Sequence, residues 1–136
     1  MILIINTCLT DRLEVILAKS ADDWFSEAIR GERQEAKKLL KMIEKILKKN
    51  KIKQSALTGI GIVTGPGGFT SVRIGVAVAN ALAYGWQLRV AGLKTSEFQS
   101  NQELVKMVFS KLKQRRLTKI AKPFYDQNPN ITTAKP

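Results

Sequence analysis

The chain has 136 residues, a net charge of +12 from 23 basic and 11 acidic side chains, a single cysteine and no histidine. This length favours one domain with a real hydrophobic core. The lone Cys8 excludes an internal disulfide and fits a reducing cytoplasm, and the lack of histidine removes the commonest general base and the usual zinc ligands. The apolar start, Ile2 to Ile5, is too short for a signal or membrane segment.

The excess positive charge is concentrated in two places. Residues 33–53 hold nine basic and two acidic side chains, and residues 111–122 hold six basic and no acidic ones. Such clusters attract polyanions, and RNA is the obvious candidate in a cell. The alternative for the first cluster is a lysine-rich helix face that is simply solvated.

Three strands are predicted at the start of the chain. Ile2 to Ile5 is typical of a buried strand, with Asn6 and Thr7 at its end. A polar turn leads to a second strand, Leu13 to Ala18. The segment Asp22 to Ile29 fits either a third strand or an early helix, and we predict a strand.

A helix is predicted from Glu32 to Lys49, where lysines fill the side opposite an apolar stripe. Asn50 ends it, because asparagine tolerates left-handed backbone geometry. The apolar stripe consists of Ala36, Leu39, Leu40, Ile43, Ile46 and Leu47.

A βαβ unit follows. An apolar strand, Ile60 to Val63, runs into a glycine-rich turn, and a helix from Thr70 to Tyr84 leads to a second strand, Leu88 to Ala91. Strand, turn, helix and strand within about 35 residues is the layout of parallel strands joined by a helical crossover.

A last helix is predicted from Asn101 to Arg116, and the final segment, Ala121 to Pro136, holds three of the four prolines. We therefore predict one lobe over residues 1–120 and an extended C-terminal tail over residues 121–136, with disorder of the tail as the alternative. The order β-β-β-α-β-α-β-α predicts an α/β fold with a mixed five-stranded sheet. This is the ribonuclease H-like order, also found in each lobe of the actin, hexokinase and Hsp70 (ASKHA) proteins.

The helix Thr70 to Tyr84 is apolar around more than half of its circumference, whereas a helix on one face of a sheet should keep a broad polar side. We predict that its larger side chains face the sheet and that its small ones face a second helix. A buried helix in a larger core is the alternative. The larger set is Ile74, Val78, Ala81 and Leu82, the small set is Val72, Gly75, Val76, Ala79 and Ala83, and the polar strip is Arg73, Asn80 and Tyr84.

The glycine turn resembles a phosphate-binding loop only in part. A turn between a strand and a helix N-terminus can receive a phosphate on its backbone N–H groups, but this one lacks the Gly-Lys-Ser/Thr ending of a P-loop. We predict a tight turn, with Thr70 capping the helix, and no bound cofactor. The turn consists of Gly65, Pro66, Gly67, Gly68, Phe69 and Thr70.

A ribonuclease H-type nuclease would need several carboxylates at the strand ends to hold Mg²⁺. The first strand ends in the neutral Asn6, and Asp11, Asp22 and Asp23 fall in predicted turns. We therefore predict no catalytic and no metal-binding residue.

Residues 65–75, GPGGFTSVRIG, closely resemble the G-P-G-S-F-T-G-L-R-I-G signature of the TsaB (YeaZ) family. Ala79, Leu82 and Ala83 continue the similarity, as do the strand Leu88 to Ala91 and Gly92. The opening residues 2–8, ILIINTC, resemble the family's I-L-A-I-D-T-S, and Pro123-x-Tyr125 is similar to a C-terminal P-x-Y. The similarity is good over residues 1 to about 98.

The chain also departs from the family pattern. Asn6 stands where the family has aspartate, and Gly68 and Ser71 stand where it has serine and glycine. The chain is far shorter than a two-lobed TsaB, so the resemblance implies a single-lobe form.

The resemblance implies a part in making threonylcarbamoyladenosine beside the anticodon of tRNA. In that family TsaB is a non-catalytic scaffold that pairs with the catalytic subunit TsaD through first-lobe helices and supports assembly with the ATPase TsaE. It also leaves open a homodimer when TsaD is absent, and contact with tRNA through the complex. The partner-binding residues expected from it are Val72, Arg73, Gly75, Val76, Ala79, Asn80 and Ala83.

Two other functions remain as alternatives. One is a basic RNA-binding module that acts alone, and the other is a ribonuclease H-like enzyme such as a nuclease or small kinase. The missing acids of the first strand count against the enzyme.

Overall fold

The structure, a computed structural model, describes residues 1–30, 36–114 and 121–122. The predicted order of elements is confirmed, including the choice of a strand for the third segment. The elements are β1 (Ile2–Asn6), β2 (Arg12–Ser20), β3 (Asp23–Arg30), α1 (Ala36–Lys49), β4 (Gly59–Gly65), α2 (Phe69–Trp86), β5 (Arg89–Lys94) and α3 (Asn101–Leu112), with single 3₁₀ turns at Gln54–Ala56 and Thr95–Glu97.

The five strands form one mixed sheet in the order β3-β2-β1-β4-β5. The first three strands pair antiparallel as a meander, and β1, β4 and β5 run parallel. This arrangement confirms the predicted ribonuclease H-like α/β fold. It places β1 at the centre, next to β4, so that the loops following these two strands emerge at the same edge.

The sheet has a hydrophobic core on each face because its strand residues alternate between the two sides. On β1, Leu3 and Ile5 pack with α1 and α2, whereas Ile2 and Ile4 pack with α3. All four are essentially inaccessible to solvent. Within the described residues, no helix combines the length and hydrophobicity needed to cross a bilayer.

Helix α1 buries one face against the sheet and α2, as its period predicted. The buried residues are Leu39, Met42, Ile43, Ile46 and Leu47. The predicted stripe is wrong for Ala36 and Leu40, which are exposed. The predicted start at Glu32 lies outside the described residues.

The end of α1 differs from the prediction in one detail. The left-handed residue is Lys51, with φ 56°, rather than Asn50. The Asn50 side chain instead donates to the Ile46 carbonyl at 2.7 Å, so it closes the last turn through a hydrogen bond.

The C-terminal part of the chain is described only in places. Helix α3 ends at Leu112 rather than at the predicted Arg116. Ala121 and Lys122 reappear, with Ala121 buried. The rest of the predicted tail, residues 123–136, lies outside the described residues, and with it Phe124, Tyr125 and Ile131.

Candidate functional site

The loops after β1 and β4 meet at one edge of the sheet, because the two strands are parallel neighbours with Ile5 beside Ile62. Asn6 ends β1 and is followed by Thr7 and Cys8; Thr64 and the glycine turn stand at the end of β4. The sequence-predicted turn and first-strand end are therefore in contact, which makes this edge the first candidate site.

The glycine turn takes its shape from two positions that exclude a side chain. Gly65 has φ 123°, a backbone conformation that other residues rarely adopt, and the Gly65–Pro66 peptide bond is cis. A Cβ on Gly67 would lie 3.0 Å from the Cα of Cys8. Because that neighbour is backbone, a side chain at position 67 would push the turn away from the β1 loop.

The start of α2 differs from the prediction. The helix begins at Phe69 and its N-cap is Gly68, without a side-chain cap. Thr70 is exposed inside the first turn, so the prediction that it caps the helix is wrong. A Cβ on Gly68 would meet nothing closer than Ser71 Oγ at 3.7 Å, so a serine fits at this position without a clash.

Thr7 fastens the β1 loop beneath α2. Its hydroxyl donates to the Ser71 carbonyl at 2.7 Å, and its side chain is fully buried. Opposite it lies Gly75, where a Cβ would overlap Thr7 Oγ1 and come within 2.8 Å of Cγ2. Gly75 is therefore required by the close packing of α2 on Thr7, and it faces the chain's own core rather than solvent.

The remaining polar side chains at this edge also bind backbone groups. Asn6 Oδ1 accepts from the Cys8 N–H at 2.9 Å, and the Thr64 hydroxyl donates to the Leu93 carbonyl at 3.2 Å. The Cys8 thiol points to the Val63 carbonyl at 3.4 Å, and burial raises the pKa of Cys8 from the usual 9.0 to about 11. At neutral pH the thiol is protonated and is a poor nucleophile.

No cluster of three or more acidic or cysteine side chains suited to a metal ion occurs within residues 1–30, 36–114 and 121–122. The polar groups at the edge hold two loops and a helix together, and all four are engaged with the backbone. What the arrangement does chemically is to fix the position and tilt of α2.

The face of α2 predicted for a partner is wrong in orientation. Val72, Gly75, Val76, Ala79 and Ala83 are all buried within the chain itself. Their small size lets α2 lie close to the sheet, as Gly75 and Thr7 illustrate. Conversely, Ile74 and Leu82, predicted to face the sheet, are only half-buried and pack on the core shared with α1.

The exposed side of α2 is a narrow strip between its two covered flanks. Arg73, Ala77, Ala81 and Tyr84 recur at intervals of three and four residues, and we call these four the outer face of α2. Tyr84 is 89% exposed. Of these four residues, only Arg73 belongs to the predicted partner-binding set. The exposure of Ala77, Ala81 and Tyr84 could have been predicted from the helical wheel, where they lie opposite Val72 and Ala79.

Asn80, also in the predicted set, has a different use. Its amide donates to the Ala121 carbonyl at 2.9 Å and accepts from the Ala121 N–H at 2.8 Å. The two bonds imitate a strand pairing and hold the segment at residue 121 against α2, where Ala121 also lies beside Gly92. The segment at residue 121, held by Asn80, thus covers one flank of α2.

Comparison with known proteins confirms the resemblance found in the sequence. A family model described as TsaD, tRNA N6-adenosine threonylcarbamoyltransferase, matches residues 30–107, which is more than half of the chain. The Escherichia coli (strain K12) tRNA threonylcarbamoyladenosine biosynthesis protein TsaB is 33% identical over 63 residues, or 46% of this chain and 27% of that protein.

Two solved structures from Pseudomonas aeruginosa share the fold of most of the chain. YeaZ superposes with a TM-score of 0.62, and an uncharacterized protein with similarity to peptidase YeaZ with 0.61; each is 30% identical over 68% of this chain. The aligned part is 43% and 42% of those chains, so the chain spans less than half the length of these relatives. The chain therefore belongs to the TsaD family and, by these relatives, to its TsaB (YeaZ) branch.

Proposed function

We propose that this chain is a non-catalytic, cytoplasmic scaffold subunit in the biosynthesis of threonylcarbamoyladenosine in tRNA. In this proposal it binds a TsaD-like catalytic subunit through the outer face of α2. The proposal joins the family membership with one feature of the structure, the exposed outer face of a helix whose other sides are largely covered.

The outer face of α2 has the chemistry of a helix-packing surface. Ala77 and Ala81 lie one turn apart, and side chains this small allow two helix axes to approach to about 8 Å. Tyr84, almost fully exposed, supplies the large amphipathic side chain that is enriched where partners bind. No element of the described part of the chain packs on this strip, and its shape suits a helix of a second subunit.

The contacts below α2 favour a rigid rather than a mobile interface. Thr7 and Gly75 hold the N-terminal half of the helix against the loop after β1, and Asn80 binds its middle to Ala121. A surface held in this way loses little conformational freedom when a partner binds.

The strand-end edge supports the non-catalytic part of the proposal. Asn6, at the position of the family's aspartate, is uncharged and hydrogen-bonded to the next turn of backbone. Thr7 and Thr64 are likewise bonded to carbonyls, and the Cys8 thiol is protonated at neutral pH. These groups serve to hold the glycine turn, which leaves the chemistry to the partner.

The rest of the assembly follows from the same proposal. A TsaE-like ATPase joins the complex, and tRNA contacts the chain as part of that complex. When the TsaD-like subunit is absent, a second copy of the chain binds the outer face of α2. The predicted division into a lobe over residues 1–120 and a tail over residues 121–136 is kept, with Ala121 as the anchor of the tail.

Three arginine substitutions at alanines test the interface. The chain is co-expressed with the TsaD-like subunit and analysed by size-exclusion chromatography. Ala81→Arg, on the outer face of α2, is expected to abolish co-elution by leaving a buried, unpaired charge, at a cost of roughly 3–5 kcal/mol. Ala28→Arg, on the exposed edge strand β3, is the matched control and should co-elute like the unmodified chain.

Ala79→Arg separates folding from binding. Ala79 is fully buried in the chain alone, so this variant is expected to lose the far-ultraviolet dichroism of the free protein. The proposal is wrong if Ala81→Arg co-elutes with undiminished affinity, or if Ala28→Arg weakens the complex equally. If the free chain is a dimer, Ala81→Arg should make it a monomer.

A further inference from the structure

The outward face of α1 is a straight row of lysines. Lys37, Lys41, Lys45 and Lys48 follow one another at intervals of four, four and three residues, and all four are exposed. At about 100° per residue they lie within an arc of about 80°, and they extend over roughly 16 Å of helix. We call these four residues the lysine row.

Within residues 1–30, 36–114 and 121–122, none of the four lysines of the row forms an ion pair. Glu44 is the only acidic residue between the two ends of α1. In the part of the chain that the structure describes, Lys49 is the one lysine of this helix paired with a carboxylate, Glu27 of β3, at 3.0 Å. Like charges four residues apart on a helix repel each other, but Glu44, three residues after Lys41 and four before Lys48, offsets part of this repulsion. The face keeps a net charge of +3 from four lysines and one glutamate.

The opposite side of α1 counts against a membrane as the natural ligand. A basic amphipathic helix binds a lipid surface by inserting its apolar face. In this chain that face is already used, because Leu39 and Ile46 are buried to within 1% of full coverage in the core. The lysines therefore stand on a rigid support, and no apolar face is left for the acyl chains.

The row also lacks what single-stranded nucleic acid requires. Proteins that bind single strands stack the bases on aromatic side chains, and α1 contains no aromatic residue. Double-helical RNA, in contrast, is bound chiefly through phosphates and 2′-hydroxyls, without base stacking. A nucleic-acid duplex carries about one charge per 1.7 Å of its axis, so a stretch as long as the row offers on the order of ten phosphates.

We propose that the lysine row binds the phosphate backbone of double-helical RNA, without sequence preference. Lys51 and Lys53, just beyond the helix, are also exposed and add to the positive charge near its C-terminal end. The inference goes beyond the scaffold function, since it concerns α1 rather than the outer face of α2 and needs no partner protein.

The test measures binding of the full chain, alone, to a fluorescein-labelled RNA duplex of about 20 base pairs by fluorescence anisotropy at several salt concentrations. The row variant K37Q/K41Q/K45Q/K48Q removes four charges while keeping side chains of similar helix propensity. We expect its affinity to fall about tenfold or more near 0.1 M salt and its salt slope to shrink by about three to four.

The control variant K19Q/R30Q/K94Q/K106Q removes the same number of charges from exposed basic residues outside both basic clusters. It should retain most of the affinity and of the salt slope. If circular dichroism shows that the row variant is unfolded, Lys41→Glu is compared with Lys106→Glu, and a loss confined to Lys41→Glu is expected.

Three results overturn the proposal. The first is an unmodified chain that does not bind the duplex. The second is an equal loss in the row and control variants, which would mean that only net charge matters. The third is binding to vesicles containing phosphatidylserine, lost in the row variant, with no binding to RNA; the row would then be a membrane surface. Since no TsaD-like protein is present, none of these results bears on the scaffold function.

Discussion

Thr7 and Gly75 show how a single missing side chain controls the placement of a helix. Thr7 is inaccessible to solvent and donates to the Ser71 carbonyl, and the space for its side chain exists only because position 75 has no Cβ. Thr7 is short and branched, so it cannot swing away from an added methyl group. Packing inside the chain thus explains why the signature has glycine at position 75.

Gly75→Ala is expected to destabilise the chain by about 2–4 kcal/mol, through overpacking and loss of the Thr7 hydrogen bond. The matched control is Gly85→Ala on the same helix, where nothing lies within 4 Å of the added Cβ. That change should stabilise α2 by about 0.5–1 kcal/mol. Urea unfolding of both variants gives the comparison.

A double variant sharpens this test. Thr7→Ala removes both atoms that the new methyl group would strike, so Thr7→Ala with Gly75→Ala should cost clearly less than the sum of the single changes. Additive costs, or a Gly75→Ala variant as stable as Gly85→Ala, would contradict the proposed contact.

At the level of elements, α2 is the helix on which the other parts converge. The sheet lies beneath it, α1 lies on one flank, and residue 121 lies on the other, fixed by Asn80. The outer face of α2 is left to solvent, together with Phe69 and Thr70 in the first turn and Gly85 near the end of the helix. An apolar helix in this position can bind a partner through a narrow strip without exposing its core-facing residues.

Asn80→Ala is expected to lower the free energy of unfolding by about 1–3 kcal/mol, because it leaves the N–H and carbonyl of the buried Ala121 unpaired. Tyr84→Ala, four residues along the same helix at an 89% exposed position, is the control and should change stability by less than about 0.5 kcal/mol. Equal unfolding curves for the two variants would mean that the segment at residue 121 does not dock on α2 in solution.

At the scale of the whole molecule, the proposed scaffold function implies that the chain has no catalytic activity of its own. We expect the purified chain alone neither to hydrolyse ATP nor to transfer threonylcarbamoyl groups to tRNA. The neutral, bonded Asn6 and the protonated thiol of Cys8 are the reasons. The measurement compares turnover by the pure chain with that of a preparation of the Ala79→Arg variant; activity found only with the unmodified chain would show that it is an enzyme.

The net charge of +12 is also a property of the whole molecule. It is distributed so that α1 carries six lysines and one glutamate, whereas the outer face of α2 carries a single arginine. The two surfaces are chemically different, and this separation is why the scaffold and RNA proposals can be tested independently.

Much of the fold was predictable from the sequence because element type depends on local periodicity. The apolar run Ile2 to Ile5, the helical spacing of Leu39, Ile43 and Ile46, and the glycine turn predicted β1, α1 and the βαβ unit. The signature around Gly65 also identified the family. These features depend on residues close together in the chain, so no tertiary information was needed.

Only the tertiary structure decided which way α2 faces. Its residues are apolar nearly all round, so periodicity could not distinguish the side on the sheet from the side on α1 or in solvent. The buried side carries the small residues Gly75, Ala79 and Ala83, and at Gly75 an added Cβ would strike Thr7. The pairing of Asn80 with Ala121, 41 residues away, likewise had no local signal. A helix's type is determined by neighbours in sequence, but its orientation is determined by the volumes of neighbours in space.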